Sequence, residues 1–519
     1  MLGWTNIHTS VALNVASLER VNSTIYGKTT LFFVKDQVDD NGEYDSDDDD
    51  TVYCHLNCRQ CKPLSASVQG LKTTLTHSDY LGTLDKPIVP ENYKDLDVFD
   101  LRYRQKASAS EVTAELVIAI PPSVLDNPEI HERNDANGKT QLLRVEVEYE
   151  LSNYLFGLHR GHFVPNTSNA TTIDGVGESQ HVFTFNEPLS AGAIRGGGFG
   201  TRTWLPCIDN LRNRSTYDIS INVVDSLVPV CSGKLVSKTR AFFPPDFVAK
   251  YKLPSANGGD NKVACVTYKF QIDVPIPSYS LGLAVGEFEI IPGVEMPDRV
   301  TTFAPKTSIG SSMEELNDAT ECLSAAITFF EDTFGCKLPM QSHNLVFVKD
   351  PPSLNCLAGS PYASVTFVST DHLTPKSMHV LNNEDDRHIE AGNNHTNEND
   401  DGNSNGFLKR SWTRRRDEPR KRGKKLPQDS FNHRVTTAMS DDDNAENTSS
   451  CKRESGITNI ELAGEIANGV AWNVFGTLIK VERWQDSWLP LGMSLFVSDL
   501  FIRHMFGEKE YQLRLRKRK

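Results

Sequence analysis

Residues 457–506 decide the fold: ITNIELAGEIANGVAWNVFGTL (457–478), the connection IKVERWQDSW (479–488), then LPLGMSLFVSDLFIRHMF (489–506). Both long segments repeat apolar residues at helical spacing, so they predict two core-facing helices. The second starts just after Trp484 and Trp488 and stops near Gly507. Upstream, SMEELNDATECLSAAITFFEDT (312–333) puts Leu316, Ala319, Leu323 and Ile327 on one face, a third amphipathic helix. Two apolar runs between these helices, Asn344–Val348 and Ala363–Ser369, predict strands. From about residue 296 the chain therefore reads as an α/β region.

Before residue 295 the period changes. TSVALNV (9–15), TTLFFV (29–34), TAELVIA (113–119), LRVEVEYEL (143–151), YDISINVV (217–224) and ACVTYKFQIDV (264–274) are short, β-branched and bounded by turn residues. They predict a β-rich domain of antiparallel sheets with no internal repeat. The expected division is a β domain over 1–295, with an acidic loop at 39–50, and an α/β domain over 296–375 and 453–519. The 376–452 tract interrupts the latter.

That tract is rich in Asn, Asp, Glu, Ser and basic residues and buries too little apolar surface to fold, so disorder is expected. Within it KRSWTRRRDEPRKRGKK (409–425) holds ten Lys/Arg in seventeen positions. This cluster reads as an import signal or a DNA-phosphate contact, against a plain solvated linker. RLRKRK (514–519) reads the same way. Residues 39–50, DDNGEYDSDDDD, carry eight acids in twelve positions and read as a solvated insert.

With 54 Lys+Arg against 68 Asp+Glu, the 519-residue chain has a net charge of −14, which argues against a generally phosphate-coating protein. No run approaches the ~18 apolar residues of a membrane span. The start, MLGWTNIHTS, has neither a basic n-region nor an apolar h-region, so neither a membrane partner nor export is expected. Ten cysteines are too few for a disulfide scaffold and favour a reducing compartment. The sequons at Asn22, Asn166, Asn169, Asn213, Asn394 and Asn447 then read as chance matches.

Several chemistries have no motif. There is no phosphate loop and no G-x-S-x-G elbow, and the run Gly196–Gly200 lacks dinucleotide-binding spacing. No two of the 14 histidines are four apart, so H-E-x-x-H is absent. His159 and His162 read as loop or sheet-edge residues. Cys54, Cys58 and Cys61, with His55 between them, lack a second ligand pair and read as buried thiols on a strand.

Three segments in chain order resemble one family, the gluzincin aminopeptidases of the aminopeptidase N group. GGGFGTRTWLPCIDNLRNRSTYDISINV (196–223) is similar to the family's Pro-Cys-x-Asp segment. SLGLAVGEFEII (280–291) is similar to its A-x-G-x-F strand, and NVFGTLIKVERWQDSWLPLGMSLFV (473–497) to its zinc-binding region. The resemblance implies a saddle-like β domain followed by a thermolysin-like α/β domain. It also implies a zinc site with two histidines and a catalytic glutamate on one helix and a third ligand beyond it.

Aligned on Phe475-Gly476 and Trp488-Leu489, the resemblance puts Asn468, Gly469 and Trp472 at the His, Glu and His positions, and Leu491 at the third ligand. A rival register sets Ile460-Glu461-Leu462-Ala463-Gly464 on H-E-L-A-H, but it offers Ile and Gly as ligands and breaks the spacing to Trp488. LAGSP (357–361) falls at the exopeptidase loop, with Ser360 where the amine-binding glutamate would stand. No catalytic residue, metal or cofactor is expected, because an amide, an indole and an isobutyl group do not ligate zinc. A neutral serine gives no charge-assisted contact to an ammonium.

GLHRGHFVPN (157–166), TRTWLPCIDN (201–210), PYASVTFVSTDHL (361–373) and FGEKEYQLRL (506–515) resemble the second-subunit family of the general transcription factor TFIID, TBP-associated factors with a degenerate aminopeptidase-like region. This implies a nuclear, non-catalytic scaffold in RNA polymerase II transcription initiation. Its implied partners are other TFIID subunits, TBP and core-promoter DNA at the initiator region, with no small-molecule substrate. The family's helical-repeat region is expected beyond the end of this chain, which reads as truncated. Two alternatives stand beside it: a zinc aminopeptidase with other ligands, such as Glu461, Glu465, Glu482 and Asp486, and a generic basic-tract nucleic-acid binder.

Overall fold

The computed structural model describes residues 4–18, 24–35, 52–78, 114–125, 132–135, 138–152, 157–163, 179–184, 200–306 (except 211, 252 and 254–262), 313–349, 360–373, 459–479, 486 and 488–517. The acidic segment 39–50, residues 196–199 of the glycine run, and the 376–452 tract with its basic cluster lie outside them.

Period-two burial builds the first half. Thr24–Lys35 alternates buried and half-buried residues along most of its length, and Ser215–Val223 does likewise. These strands join a nine-stranded sheet whose path runs Lys234–Phe242, Ala264–Ile276, Ser215–Val223, Trp4–Val15, Thr24–Lys35, Gly138–Ser152, Lys62–Val68, Leu71–Thr73, with Glu132–Asp135 pairing Gly138–Ser152 off that path. Pairing is antiparallel except between Trp4–Val15 and Ser215–Val223, which run parallel and so depart from the antiparallel expectation. The register is what matters there: Val11, Leu13 and Val15 sit opposite Ile219, Ile221 and Val223. All six are buried, so one sheet face stays apolar across the parallel joint.

A three-stranded sheet (Val52–Leu56, Leu116–Ile120, Leu75–His77) contributes to the same core through Cys54, Leu56, Leu116 and Ile118. A four-stranded sheet follows in the order Leu158–Phe163, Ser179–Thr184, Leu283–Gly286, Val228–Cys231. His159 and His162 lie on its edge strand, as the sequence suggested. A short helix, α1 (Pro245–Tyr251), closes a satellite cluster with Phe243, Phe247 and Cys265.

The α/β region has a five-stranded sheet ordered Phe288–Pro292, Val300–Pro305, His343–Val348, Val365–Ser369, Ser360–Tyr362. Its three central strands are parallel and its two edges antiparallel. The sheet begins at Phe288, a few residues ahead of the boundary expected at 295, because Phe288–Pro292 already pairs with Val300–Pro305. Helices α2 (Met313–Phe334), α3 (Ile460–Phe475) and α4 (Trp488–Phe506) form its helical layer. Leu316, Leu323, Ile327, Leu345, Phe347, Ile466, Val470 and Phe501 share one core. Helix α4 ends at Gly507, whose φ of 87° suits glycine, and α5 (Glu508–Lys517) follows.

The described residues of the β and α/β regions fall in one compact unit. Among the described residues, no helix is long and apolar enough to cross a membrane.

Candidate functional site

The candidate site lies where α3 meets the five-stranded sheet. Asn459 caps the helix, its side chain accepting the Leu462 N–H at 3.1 Å, and Leu462, Ile466 and Val470 draw the helix onto the core. Gly469 faces the sheet so closely that a Cβ there would lie 1.9 Å from Oγ1 of Thr366. One turn on, Asn473 is buried and doubly engaged. Its Nδ2 donates to Nδ1 of His343 at 2.8 Å, and its Oδ1 accepts the backbone N–H of Ser364 at 2.8 Å. Nε2 of His343 is then the protonated nitrogen and donates to Oγ1 of Thr366 at 2.9 Å. Burial pushes the His343 pKa down to about 3, so the ring is neutral.

Ser364 joins this chain to the β region. Its φ of 59° turns Ser360–Tyr362 back onto Val365–Ser369, so the strand expected over 363–369 begins at Val365 and residues 363–364 form the turn. Its Oγ accepts the N–H of Gly233 at 2.8 Å and its carbonyl accepts the N–H of Asn344 at 2.8 Å. The neighbouring Ala363 N–H donates to Ser280 O at 2.8 Å. The Tyr-Ala-Ser segment picked out by sequence is thus a joint between the β region, the α/β sheet and α3.

A second joint uses the Pro-Cys-x-Asp segment. Arg214 Nη1 donates to Thr477 O and Nη2 to Ile479 O at 2.9 Å, holding the C-terminal end of α3. Behind it lies a buried charge network. Arg202 Nε meets Asp209 at 2.7 Å and its Nη1 lies 3.5 Å from Glu115, while Arg59 Nε meets the same Glu115 oxygen at 2.5 Å. Burial raises the Glu115 pKa, but the charges of Arg202 and Arg59 outweigh it and leave the carboxyl below its ordinary value. The seven-residue spacing of Arg202 and Asp209 in TRTWLPCIDN is what lets them pair.

Asn468, Gly469, Trp472 and Leu491 are the residues that the resemblance aligned with a zinc site. Asn468 is buried, Trp472 and Leu491 are half-buried, and Gly469 has no side chain and no room for one. An amide, an indole and an isobutyl group lack the imidazole and carboxylate donors that hold a hydrolytic zinc. The rival register fits no better. A Cβ on Gly464 would meet Arg514 Nη2 at 2.5 Å, and Glu461 lies exposed on the first turn of α3. Arg514, the first residue of the terminal basic run, turns inward, donating to Ile460 O at 3.3 Å and facing Asp499 at 3.5 Å. Ser360 begins the edge strand opposite Phe367.

Cys54, Cys58 and Cys61 are buried, and Cys207 joins them because Asn57 and Cys207 form an isolated β-bridge. Burial pushes the Cys54 thiol up to about 12. Among the described residues, no three His, Cys, Asp or Glu side chains are grouped to hold a metal ion. Sequence reasoning missed His343, Thr366, Asn473 and Arg214. Arg214, Thr366 and Asn473 lie in segments the sequence singled out, but no local pattern marks their roles, because each of the four acts through a partner more than 20 residues away.

The architecture is one shared with solved LTA4 hydrolases. The chain is similar to yeast LTA4 hydrolase in complex with bestatin, with a TM-score of 0.51 and 15% identity over 98% of this chain and 50% of that one. Native leukotriene A4 hydrolase from Saccharomyces cerevisiae gives the same score and identity over 99% of this chain and 50% of that chain.

In sequence the chain resembles transcription initiation factor TFIID subunit 2. The Gallus gallus protein is 23% identical over 321 residues, covering 61% of this chain and 23% of that protein. The Drosophila melanogaster protein is 21% identical over 398 residues (77% and 22%), and that of Caenorhabditis elegans 28% over 168 residues (32% and 12%). The chain therefore spans less than a quarter of the length of the curated relatives it matches. No protein-family model matches it.

Proposed function

We propose that the chain is a non-catalytic scaffold of a TFIID-type assembly in the nucleus. In this reading it supports assembly with other TFIID subunits and TBP, contacts core-promoter DNA at the initiator region, and serves RNA polymerase II transcription initiation. The observation that carries it is the packing of Gly469 on Thr366 within the Ser364–Asn473–His343–Thr366 chain. Where an aminopeptidase needs a glutamate and an open metal position, this helix gives its side-chain volume to hydrogen bonds that tie it to the sheet. The similarity to TFIID subunit 2 supports the same reading. So do the non-ligating side chains at Asn468, Trp472 and Leu491.

Recovery of the tagged chain from nuclear extract tests it. TBP and other TFIID subunits should co-purify; their absence from a soluble, folded sample contradicts the proposal. The basic cluster 409–425 is the proposed import or DNA-phosphate segment. Its deletion should lower the salt dependence of promoter binding, or else exclude the chain from the nucleus.

A further inference from the structure

The nine-stranded sheet ends in an unusual edge. Strand Lys234–Phe242 pairs with Ala264–Ile276 on one side only, and its open side meets no other strand among the described residues. Nine residues is long for an exposed edge, and this one keeps large apolar groups in water: Leu235 is 47% exposed, Val236 57% and Phe242 61%. Two exposed cations, Lys238 and Arg240, stand between them, and a third, Lys234, precedes them.

We propose that this edge docks an extended acidic segment of a partner protein, which adds to the sheet as a further antiparallel strand. Register argues for it. Lys238, Arg240 and Phe242 sit opposite Tyr268, Val266 and Ala264, and Leu235 sits opposite Phe270, so these four edge residues share a face. The face reads apolar, basic, basic, apolar. An added strand places its own alternate residues directly opposite that row, where cross-strand pairs interact. Open backbone groups supply affinity and the row supplies selectivity.

Charge selects among occupants. A bulge at Val236 and three cations are devices that stop an edge from pairing with another copy of itself. They admit a strand of opposite charge. Duplex DNA would use the cations but leave Leu235, Val236 and Phe242 wet. The chain's own acidic segment 39–50 has no aliphatic residue to cover them. The inference rests on this edge alone and stands whether or not the chain joins a TFIID-type assembly.

The test uses the full chain and a synthetic, dye-labelled heptapeptide with valine at positions 1 and 7, glutamate at 3 and 5, and threonine between, read by fluorescence anisotropy. The glutamate peptide should bind at least tenfold more tightly than its lysine counterpart. The double variant Lys238→Glu/Arg240→Glu, both positions exposed, should invert that preference, which also shows that the variant is folded. Backbone N-methylation of the peptide should abolish binding. Equal affinity for the two peptides, or an unchanged preference in the double variant, overturns the proposal. Tighter competition by a peptide of residues 39–50 overturns it in favour of an intrachain occupant. Tighter competition by mixed-sequence duplex DNA overturns it in favour of a nucleic-acid surface.

Discussion

Gly469 and Thr366 are in direct contact across the helix–sheet joint, with 1.9 Å separating Thr366 Oγ1 from the place a Cβ on residue 469 would take. Thr366 cannot simply turn away, because the same oxygen accepts the hydrogen bond from His343. Replacing an interior helical glycine by alanine ordinarily gains about 1 kcal/mol. Here overpacking costs about 1–3 kcal/mol and wins, so Gly469→Ala should lower the melting temperature. In a Thr366→Ala background the nearest atom recedes to Cβ at 2.8 Å, and the same substitution should cost less. Equal costs in both backgrounds would contradict the contact.

His343 gives the joint a pH dependence of known sign. Its folded pKa of about 3 lies below the unfolded value near 6.5, so the unfolded state binds more protons between them. The stabilisation from the neutral ring is full above about pH 6.5 and is lost as pH falls toward 3. At pH 5 this loss amounts to about 2 kcal/mol. Urea unfolding of wild type and His343→Gln at pH 7 and pH 5 should show a smaller drop in the variant; parallel drops would contradict the assignment.

Arg202 compensates two carboxylates in a place where water cannot. Arg202→Met should destabilise the β region by about 3–5 kcal/mol, because Asp209 loses its cation and Glu115 keeps only Arg59. Glu115 has a depressed folded pKa, so its contribution is present above the unfolded value and lost as pH falls through the folded one. The variant should therefore gain on wild type as the solution is acidified, which acid titration followed by circular dichroism would detect.

Arg214 ties the end of α3 to the β region through Thr477 O and Ile479 O. Arg214→Ala should cost about 1.5–3 kcal/mol, the range for hydrogen bonds from a charged donor. Hydrogen exchange should accelerate over residues 476–479 while the strands of the nine-stranded sheet keep their protection. Acceleration across the whole chain would mean global unfolding instead.

Much of this architecture was legible in the chain. Val11, Leu13 and Val15 announce a strand by alternation, and Leu316, Leu323 and Ile327 a helix by their period, because burial imposes both patterns locally. The parallel pairing of Trp4–Val15 with Ser215–Val223 was not legible, since nothing local encodes a partner 200 residues away. Helix α5 escaped because Glu508–Lys517 is mostly charged, and Arg514 looked like a surface cation until Gly464 and Asp499 were seen beside it. The candidate site was half visible. Sequence singled out Asn468, Gly469, Trp472 and Leu491 only through the resemblance, and the residues that fill the joint, His343, Thr366 and Asn473, are ordinary in any local window.

Metal binding tests the central claim most directly. The purified chain, stripped with a chelator and titrated with zinc in a calorimeter, should bind no stoichiometric ion with an affinity that depends on Asn468, Trp472 or Leu491, and aminoacyl amides should remain intact. One tightly bound zinc per chain, lost on substitution near α3 and accompanied by amide hydrolysis, would contradict the account.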